Sequence, residues 1–330
     1  MSGVGEYPRS PTVAVAFPAA TAGAWRDRLE AATRNYFPAL NYVACSNVEE
    51  LQRAVPDILV GHETDFVAEY LSGCPERLRW VQFMSAGVDR AMAAVGRRPV
   101  PYKISNVRGI HAEGMREYVL ATFLAHTKRL HHWEEAKQAR VWLPEPLETV
   151  AGQRALIVGA GAIGTAVAEG CRALGMGVTG VSSTGLPRAA FDSMCTLAEL
   201  PAELHMSDLI VLSLPLTPAT VGLFDSKMFA ACRHGSFLVN LSRGALIEET
   251  ALAEALFSGK LGGAALDAFN EEPLPKTSAL WQIPNLLITP HVAGRSRNGW
   301  ARGAEIFLEN LRRHFDGVEL LTEVDPSRGY

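Results

Sequence analysis

The sequence predicts an α/β fold with two doubly wound parallel sheets, on three observations. Short apolar runs alternate with helical patterns along nearly the whole chain, the rhythm of strand–helix–strand crossovers. The stretch 154–164, RALIVGAGAIG, passes from an apolar strand through a glycine turn into a helical pattern. And the chain has 330 residues, whereas a single hydrophobic core seldom grows past about 250–300.

Taken in order, residues 1–11 carry Pro and Gly and read as a lead-in. Strands are expected at 12–17, 40–44, 57–60 and 79–83, with helices at 24–34, 48–55 and 66–71 between them. The last of these strands runs into Met84-Ser85-Ala86-Gly87-Val88-Asp89, closing a unit of roughly a hundred residues. Residues 113–140 read as one long helix, because Met115, Val119, Phe123 and Leu130 recur at helical spacing and no proline interrupts. A helix of that length links domains or packs on a partner chain. The second unit opens with a strand at 155–158, followed by strands at 178–181, 207–214, 236–240, 263–267 and 286–289. A final helix over 294–314, with no strand after it, is expected to return to the first domain. The expected division is therefore 1–104 plus 295–330 for one domain and 105–294 for the other.

Composition narrows the classes of function. The net charge is −4 with no extended basic block, which argues against nucleic acid or an anionic membrane as partner. The start lacks the basic-then-apolar form of a signal peptide, and every apolar run is broken by Gly, Pro or charge before it could span a bilayer. The five cysteines are scattered without CxxC spacing or a His-rich companion, so they read as free thiols of a reducing compartment. A cytoplasmic protein without a metal site is expected.

The glycine turn carries the first chemistry. Gly159 permits the tight turn, Gly161 lets a pyrophosphate approach the backbone, and Gly164 lets the helix pack closely on the strand. The N–H groups of Ala162, Ile163 and Gly164 at the helix start then face the anion. In a doubly wound sheet, ligands collect at the carboxyl ends of the strands. Those ends offer Ser182, Ser183, Pro215, Thr217, Leu241, Arg243, Asp267 and His291. Arg supplies a planar, permanently charged fork for a carboxylate and a developing oxyanion. His can exchange a hydroxyl proton near neutrality, and Glu272, just ahead of Pro273, is its candidate carboxylate partner. Beside a dinucleotide, such a set points to hydride transfer to a carbonyl.

At these residues the chain resembles the D-isomer-specific 2-hydroxyacid dehydrogenases, in particular their NADP-using glyoxylate/hydroxypyruvate reductase type. The matching segments are GAGAIG (159–164), LSLPLTPATVGLF (212–224), NLSRGALIEETALAEAL (240–256), GAALDAFNEEPLP (263–275) and NLLITPHVAG (285–294). MSAGVDR (84–90) and the ending Gly329-Tyr330 also fit. The resemblance implies a flavodoxin-like substrate domain, a Rossmann dinucleotide-binding domain, and closure of the two around the reaction. It implies that Arg243 grips the substrate carboxylate and polarises the C2 carbonyl, that His291 gives the proton, and that Glu272 supports His291. It puts Asp267 on the nicotinamide carboxamide, Gly294 at the cofactor, and Ser85, Ala86 and Gly87 on the substrate carboxylate. It also implies a homodimer.

One feature bears on the cofactor. An NAD-specific site normally ends its second strand with Asp or Glu, which would repel a 2′-phosphate. Here that place reads Val181-Ser182-Ser183-Thr184-Gly185, three hydroxyls and no acid, with Arg188 close in sequence. NADP(H) is therefore favoured. Relatives of this type often carry Arg in the turn, and its absence leaves NAD(H) open.

Other residues have plainer readings. Taken alone, Glu272 would read as a solvated turn acid, and only its place before Pro273, matched to the family, selects it over its neighbour Glu271. His131 and His132 are surface or interface groups, and His111 near the hinge receives no role. Met84 and Trp281 are either pocket lining or core. Arg295 and Arg297 read as a solvated helix start, the alternative being that they favour a polar or anionic substrate tail. The expected function is NADPH-dependent reduction of a small 2-oxo acid to a D-2-hydroxy acid. Its rivals are an NAD-preferring dehydrogenase of a bulkier substrate and a dinucleotide-sensing, corepressor-like binding protein.

Overall fold

The computed structural model describes residues 10–96, 98–296 and 299–326. The first nine residues, Arg297 and the Gly329-Tyr330 ending lie outside the described residues. The chain divides into two units, Met1–Ile110 with Arg297–Tyr330, and His111–Ser296.

In the first unit β1 (Thr12–Ala16), α1 (Ala19–Thr33), β2 (Asn41–Cys45), α2 (Val48–Ala54) and β3 (Ile58–Gly61) follow one another. They are continued by α3 (Asp65–Ser72), β4 (Trp80–Phe83), α4 (Asp89–Val95) and β5 (Lys103–Ser105). All strand pairs are parallel, in the order β2-β1-β3-β4-β5. That is the flavodoxin-like order. β1, β3 and β4 are buried along their whole length, as helices on both faces of a parallel sheet require.

The second unit begins with α5 (Ala112–Thr127) and α6 (Leu130–Ala139), then β6 (Arg154–Val158), α7 (Ala162–Ala173), β7 (Gly177–Val181) and β8 (Ser193–Cys195). After α8 (Leu200–Leu204) come β9 (Leu209–Leu212), α9 (Ser226–Ala231), β10 (Ser236–Asn240), α10 (Glu249–Phe257), β11 (Leu261–Leu266) and β12 (Leu286–Ile288). The sheet is parallel throughout, in the order β12-β11-β10-β9-β6-β7-β8. Strand alternation sends Leu156 and Val158 into one apolar layer and Ala155 and Ile157 into the opposite one. The chain turns outward in opposite directions from β6 and β9, which opens a crevice at their carboxyl ends.

The last helix, α11 (Gly299–Phe315), belongs to the first unit. Its Phe307 and Leu311 are buried with Val13, Val15 and Trp80. Its Asn310 amide donates to the Gln82 carboxamide oxygen at 2.8 Å, deep in the same unit.

Several elements differ from expectation. Residues 113–140 form two helices, not one. Lys128 and Arg129 donate back to the carbonyls of Leu124 and His126, Arg129 takes φ 52°, and the Trp133 indole caps the Lys128 carbonyl at 2.8 Å. Capping by a tryptophan leaves no Gly or Pro to mark the break. The helix expected over 294–314 is replaced at its start by a turn, since Ala293 N–H is held by Asp267 and the Gly294 carbonyl by His111. β5 and β8 were not foreseen; three residues each are too few for a periodicity to register. Nor is the tail after α11 unpaired, because Glu323 bridges Ser105 in antiparallel fashion. Among the described residues no helix is long and apolar enough to cross a membrane.

Candidate active site

The glycine turn leaves β6 and enters α7. Gly159 takes φ 110°, and a Cβ there would lie 2.6 Å from the Ser213 carbonyl carbon, so only glycine fits. A Cβ on Gly164 would fall 2.0 Å from the Gly159 carbonyl oxygen, which is how the helix lies close against the turn. Gly161 differs, because its missing side chain would meet nothing within 4 Å. Gly161 is also the N-cap of α7, and no side chain caps the helix. Thr165 makes the first intrahelical bond, to the Gly161 carbonyl, so Ala162, Ile163 and Gly164 keep outward N–H groups. Open space over uncapped donors fits the pyrophosphate of a dinucleotide.

The neighbouring strand ends surround this turn. After β9, Ser213 Oγ donates to the Gly159 carbonyl at 2.7 Å, tying the two loops together. The Thr220 hydroxyl accepts from the Thr217 N–H at 2.8 Å and donates to the Pro215 carbonyl at 2.9 Å, fixing that segment as a compact turn. Leu241, past the end of β10, is buried and donates its N–H to Leu212. At the end of β7, Ser182 Oγ accepts from the Gly185 N–H at 3.1 Å and Thr184 Oγ1 from Leu186 at 3.4 Å; Ser183 is exposed. Accepting these bonds leaves each hydroxyl proton free to donate outward. Arg188 is exposed and donates to the carbonyl of Ala160, so a permanent cation sits against the glycine turn.

Arg243, Glu272 and His291 follow β10, β11 and β12, three adjacent strands, and the local packing draws their loops together. A Cβ on Gly244 would be 2.0 Å from the Phe269 carbonyl carbon, so the Arg243 turn presses directly on the peptide leading to Glu272. Asn240 secures this turn, donating to the Arg243 carbonyl and accepting from Ser242 N–H. One guanidinium nitrogen of Arg243 donates to the Ser242 carbonyl at 3.0 Å. Glu272 Oε1 accepts from the Phe269 N–H at 3.0 Å, and its Oε2 lies 2.8 Å from His291 Nδ1. An ionised carboxylate only accepts, so the proton is assigned to Nδ1 and Nε2 is the nitrogen left for a reactant. The two side chains are 44% and 37% exposed, open to an incoming small molecule.

His291 has φ 54°, a left-handed conformation that costs a non-glycine residue about 1–3 kcal/mol. Asp267 holds the chain in it. Its Oδ1 accepts from the Val292 N–H at 2.8 Å and the Thr289 hydroxyl at 2.6 Å, and its Oδ2 from the Ala293 N–H at 2.9 Å. Sequence reasoning put Asp267 on the cofactor and missed this grip on the histidine loop. Three acceptances leave one Oδ2 lone pair for a further donor.

In the first unit the loop after β4 keeps its carbonyls inward. Ser85 accepts from Val107 N–H, Ala86 from the Asn106 amide at 2.8 Å, and Gly87 from the Ser85 hydroxyl at 3.0 Å. Among the described residues the N–H groups of Ala86 and Gly87 make no hydrogen bond, which suits them to an anion. Met84 is buried in the core of this unit. Trp281 is 53% exposed and donates to the Pro275 carbonyl, so its core reading is wrong. His131 lies 3.2 Å from Glu135 on the exposed face of α6. His111, given no role from sequence, donates from Nδ1 to the Gly294 carbonyl at 2.7 Å. Arg295 is exposed. Among the described residues no cluster of His, Cys, Asp or Glu could hold a metal.

What the crevice of such a sheet takes at its glycine turn is a dinucleotide, and the class of protein is that of the nicotinamide-dependent dehydrogenases. Residues 120–293 match the family model of the D-isomer specific 2-hydroxyacid dehydrogenase NAD binding domain. Over 268 residues the chain is 31% identical to glyoxylate/hydroxypyruvate reductase A of Salmonella paratyphi B, covering 79% of this chain and 84% of that protein. The crystal structure of a D-isomer specific 2-hydroxyacid dehydrogenase family protein from Aeromonas salmonicida matches with TM-score 0.83 at 34% identity, over 96% of this chain and 99% of that one. A D-isomer specific 2-hydroxyacid dehydrogenase from Xanthobacter autotrophicus Py2, crystallised in complex with NADPH and MES, matches with TM-score 0.81 at 29% identity, over 97% and 100% of the two chains. The chain belongs to the D-isomer specific 2-hydroxyacid dehydrogenase family, and it is an NAD(P)-dependent enzyme.

Proposed function

We propose that this enzyme reduces small 2-oxo acids of the glyoxylate/hydroxypyruvate type to D-2-hydroxy acids with NADPH. The observation that carries the reading is the 2.8 Å contact of His291 Nδ1 with Glu272 Oε2, which presents Nε2 as a proton donor. A nicotinamide dinucleotide held at the Gly159–Gly164 turn would supply the hydride for C2 of the 2-oxo acid. Arg243 grips the substrate carboxylate and steadies the oxygen at C2 as negative charge grows on it. His291 Nε2 gives its proton to that oxygen, and Glu272 holds the ring at Nδ1. The first unit, in which the N–H groups of Ala86 and Gly87 suit an anion, is the proposed substrate domain. The second unit is the proposed cofactor domain.

NADPH over NADH is supported by Arg188 against the glycine turn, by the three hydroxyls at 182–184, and by the NADPH bound in the Xanthobacter relative. A homodimer is supported by the apolar run after α6, where Val141 is 50% and Trp142 92% exposed; sedimentation velocity reads it directly. A cytoplasmic setting is supported by the free thiols, among which burial pushes Cys171 and Cys232 up to about 12. The deciding experiment is the initial rate of glyoxylate and hydroxypyruvate reduction with NADPH and then NADH, for the wild type and for His291→Ala. Rapid NADPH-linked turnover lost in the variant, with NADPH binding intact, is expected. Equal use of NADH would refute the cofactor preference, and undiminished turnover in the variant would remove His291 from the chemistry.

A further inference from the structure

We propose that Tyr118 is a positioning residue for proton transfer, acting through Thr289 and Asp267 to fix the loop that carries His291. The inference rests on the reading of His291 as proton donor. The Tyr118 hydroxyl lies 2.8 Å from Thr289 Oγ1, and Thr289 Oγ1 lies 2.6 Å from Asp267 Oδ1. The direction of both bonds follows from proton counting. An ionised Asp267 can only accept, so the single Thr289 proton goes to it, and the Tyr118 hydroxyl must donate to Thr289. Burial pushes the Tyr118 phenol up to about 12, so it stays a donor throughout the neutral range.

This chain ends on the backbone around His291. Asp267 accepts from the N–H groups of Val292 and Ala293, the two residues after the histidine, while His291 N–H closes on the Thr289 carbonyl at 3.0 Å. The strained φ of 54° at His291 is thus bracketed on both sides. α5 grips the same loop along one face. His111 donates to the Gly294 carbonyl at 2.7 Å, and a Cβ on Gly114 would lie 3.2 Å from the Ala293 oxygen. The Met115 methyl would be 3.0 Å from a Cβ on Gly294, and Tyr118 completes the row. Positions 111, 114, 115 and 118 follow the i, i+3, i+4, i+7 spacing of a single helical face. α5 also packs on α7, where a Cβ on Gly170 would come within 2.9 Å of Leu120. One helix therefore braces both the helix behind the glycine turn and the histidine loop. Tyr118 supplies the one side-chain hydroxyl in that brace.

The test is steady-state reduction kinetics, in water and deuterium oxide, of Tyr118→Phe, Thr289→Val, Thr289→Ser and His291→Ala. Tyr118→Phe and Thr289→Val should each lower kcat about tenfold. KM and the NADPH dissociation constant should stay within about twofold, and the solvent isotope effect on kcat should rise as proton delivery becomes slower. Thr289→Ser keeps the hydroxyl and should stay close to wild type. Should Thr289→Val not fold, Tyr118→Phe beside Thr289→Ser carries the same comparison. Wild-type kcat in Tyr118→Phe beside an inactive His291→Ala would overturn this inference alone. So would a loss of kcat that tracks a loss of NADPH affinity, with no change in isotope effect. Full turnover in His291→Ala would overturn the proton-donor reading and this inference together.

Discussion

Glu272 holds His291 with one carboxylate oxygen and its own turn with the other: Oε2 lies 2.8 Å from His291 Nδ1, and Oε1 accepts from the Phe269 N–H at 3.0 Å. The second bond fixes the carboxylate in its own turn. Glu272→Gln preserves the shape and removes the negative charge beside His291 Nδ1. Its kcat for 2-oxo acid reduction is expected to fall about a hundredfold, the usual scale of a general acid–base contribution. NADPH affinity, read by fluorescence titration, should be unchanged. A variant with half the wild-type kcat would contradict the assigned role.

The Gly244 contact makes a separate prediction about stability. In Gly244→Ala the new methyl would begin 2.0 Å from the Phe269 carbonyl carbon and 2.2 Å from the Asn270 nitrogen, both backbone atoms that no rotamer change can move. The two loops must part, at a cost of about 3 kcal/mol or more. Because the same loops carry Arg243 and Glu272, activity should fall with stability. Urea unfolding and initial rates on one preparation check both, and a neutral substitution would mean that the loops are not in mutual contact.

Arg188 was noticed in the sequence only as a cation near the second-strand turn, and the structure adds its bond to the Ala160 carbonyl. Removing it in Arg188→Ala takes away a charge that a 2′-phosphate would use and a 2′-hydroxyl would not. KM for NADPH is expected to rise about tenfold, since a charge-assisted bond contributes roughly 1.5–3 kcal/mol. KM for NADH should change little. Equal effects on the two cofactors would assign Arg188 to the pyrophosphate or to the turn itself.

How far the molecule was legible in its sequence follows from where the signals are local. The glycine turn reads out directly, because the conformation of Gly159 and the close approach of Gly164 need that residue type and the apolar run of β6 precedes them. The alternation of buried strands and helices gives both sheets for the same reason. The break at Arg129 was hidden because its cap comes from the Trp133 indole, a residue with no turn signature. The start of α11 was misplaced because Ala293 and Gly294 are held by Asp267 and His111, partners 26 and 183 positions away. Tyr118, an ordinary helix-face tyrosine in sequence, gains its place from Thr289, 171 residues distant. Long-range hydrogen bonds leave no periodicity to read.

His314 makes the stability of the fold depend on pH. Its ring stacks on Trp80 with centroids 5.4 Å apart, and burial, helped by the Lys103 charge, pushes its pKa down to about 4. In the unfolded chain a histidine titrates near 6.5. Between those two values the unfolded state binds the proton and the folded state does not, so stability falls as pH falls through that window. The contribution is complete above about 6.5 and is lost progressively toward 4, amounting to about 2 kcal/mol at roughly 1.4 kcal/mol per pH unit with allowance for partial exposure. His314→Phe keeps a ring against Trp80 and cannot titrate. Urea unfolding of the two proteins from pH 7.5 to 4.5 should show the wild type losing stability relative to the variant as acid is added. A constant difference across that range would mean that the ring is solvated, and that the Trp80 stack does not exclude water from it.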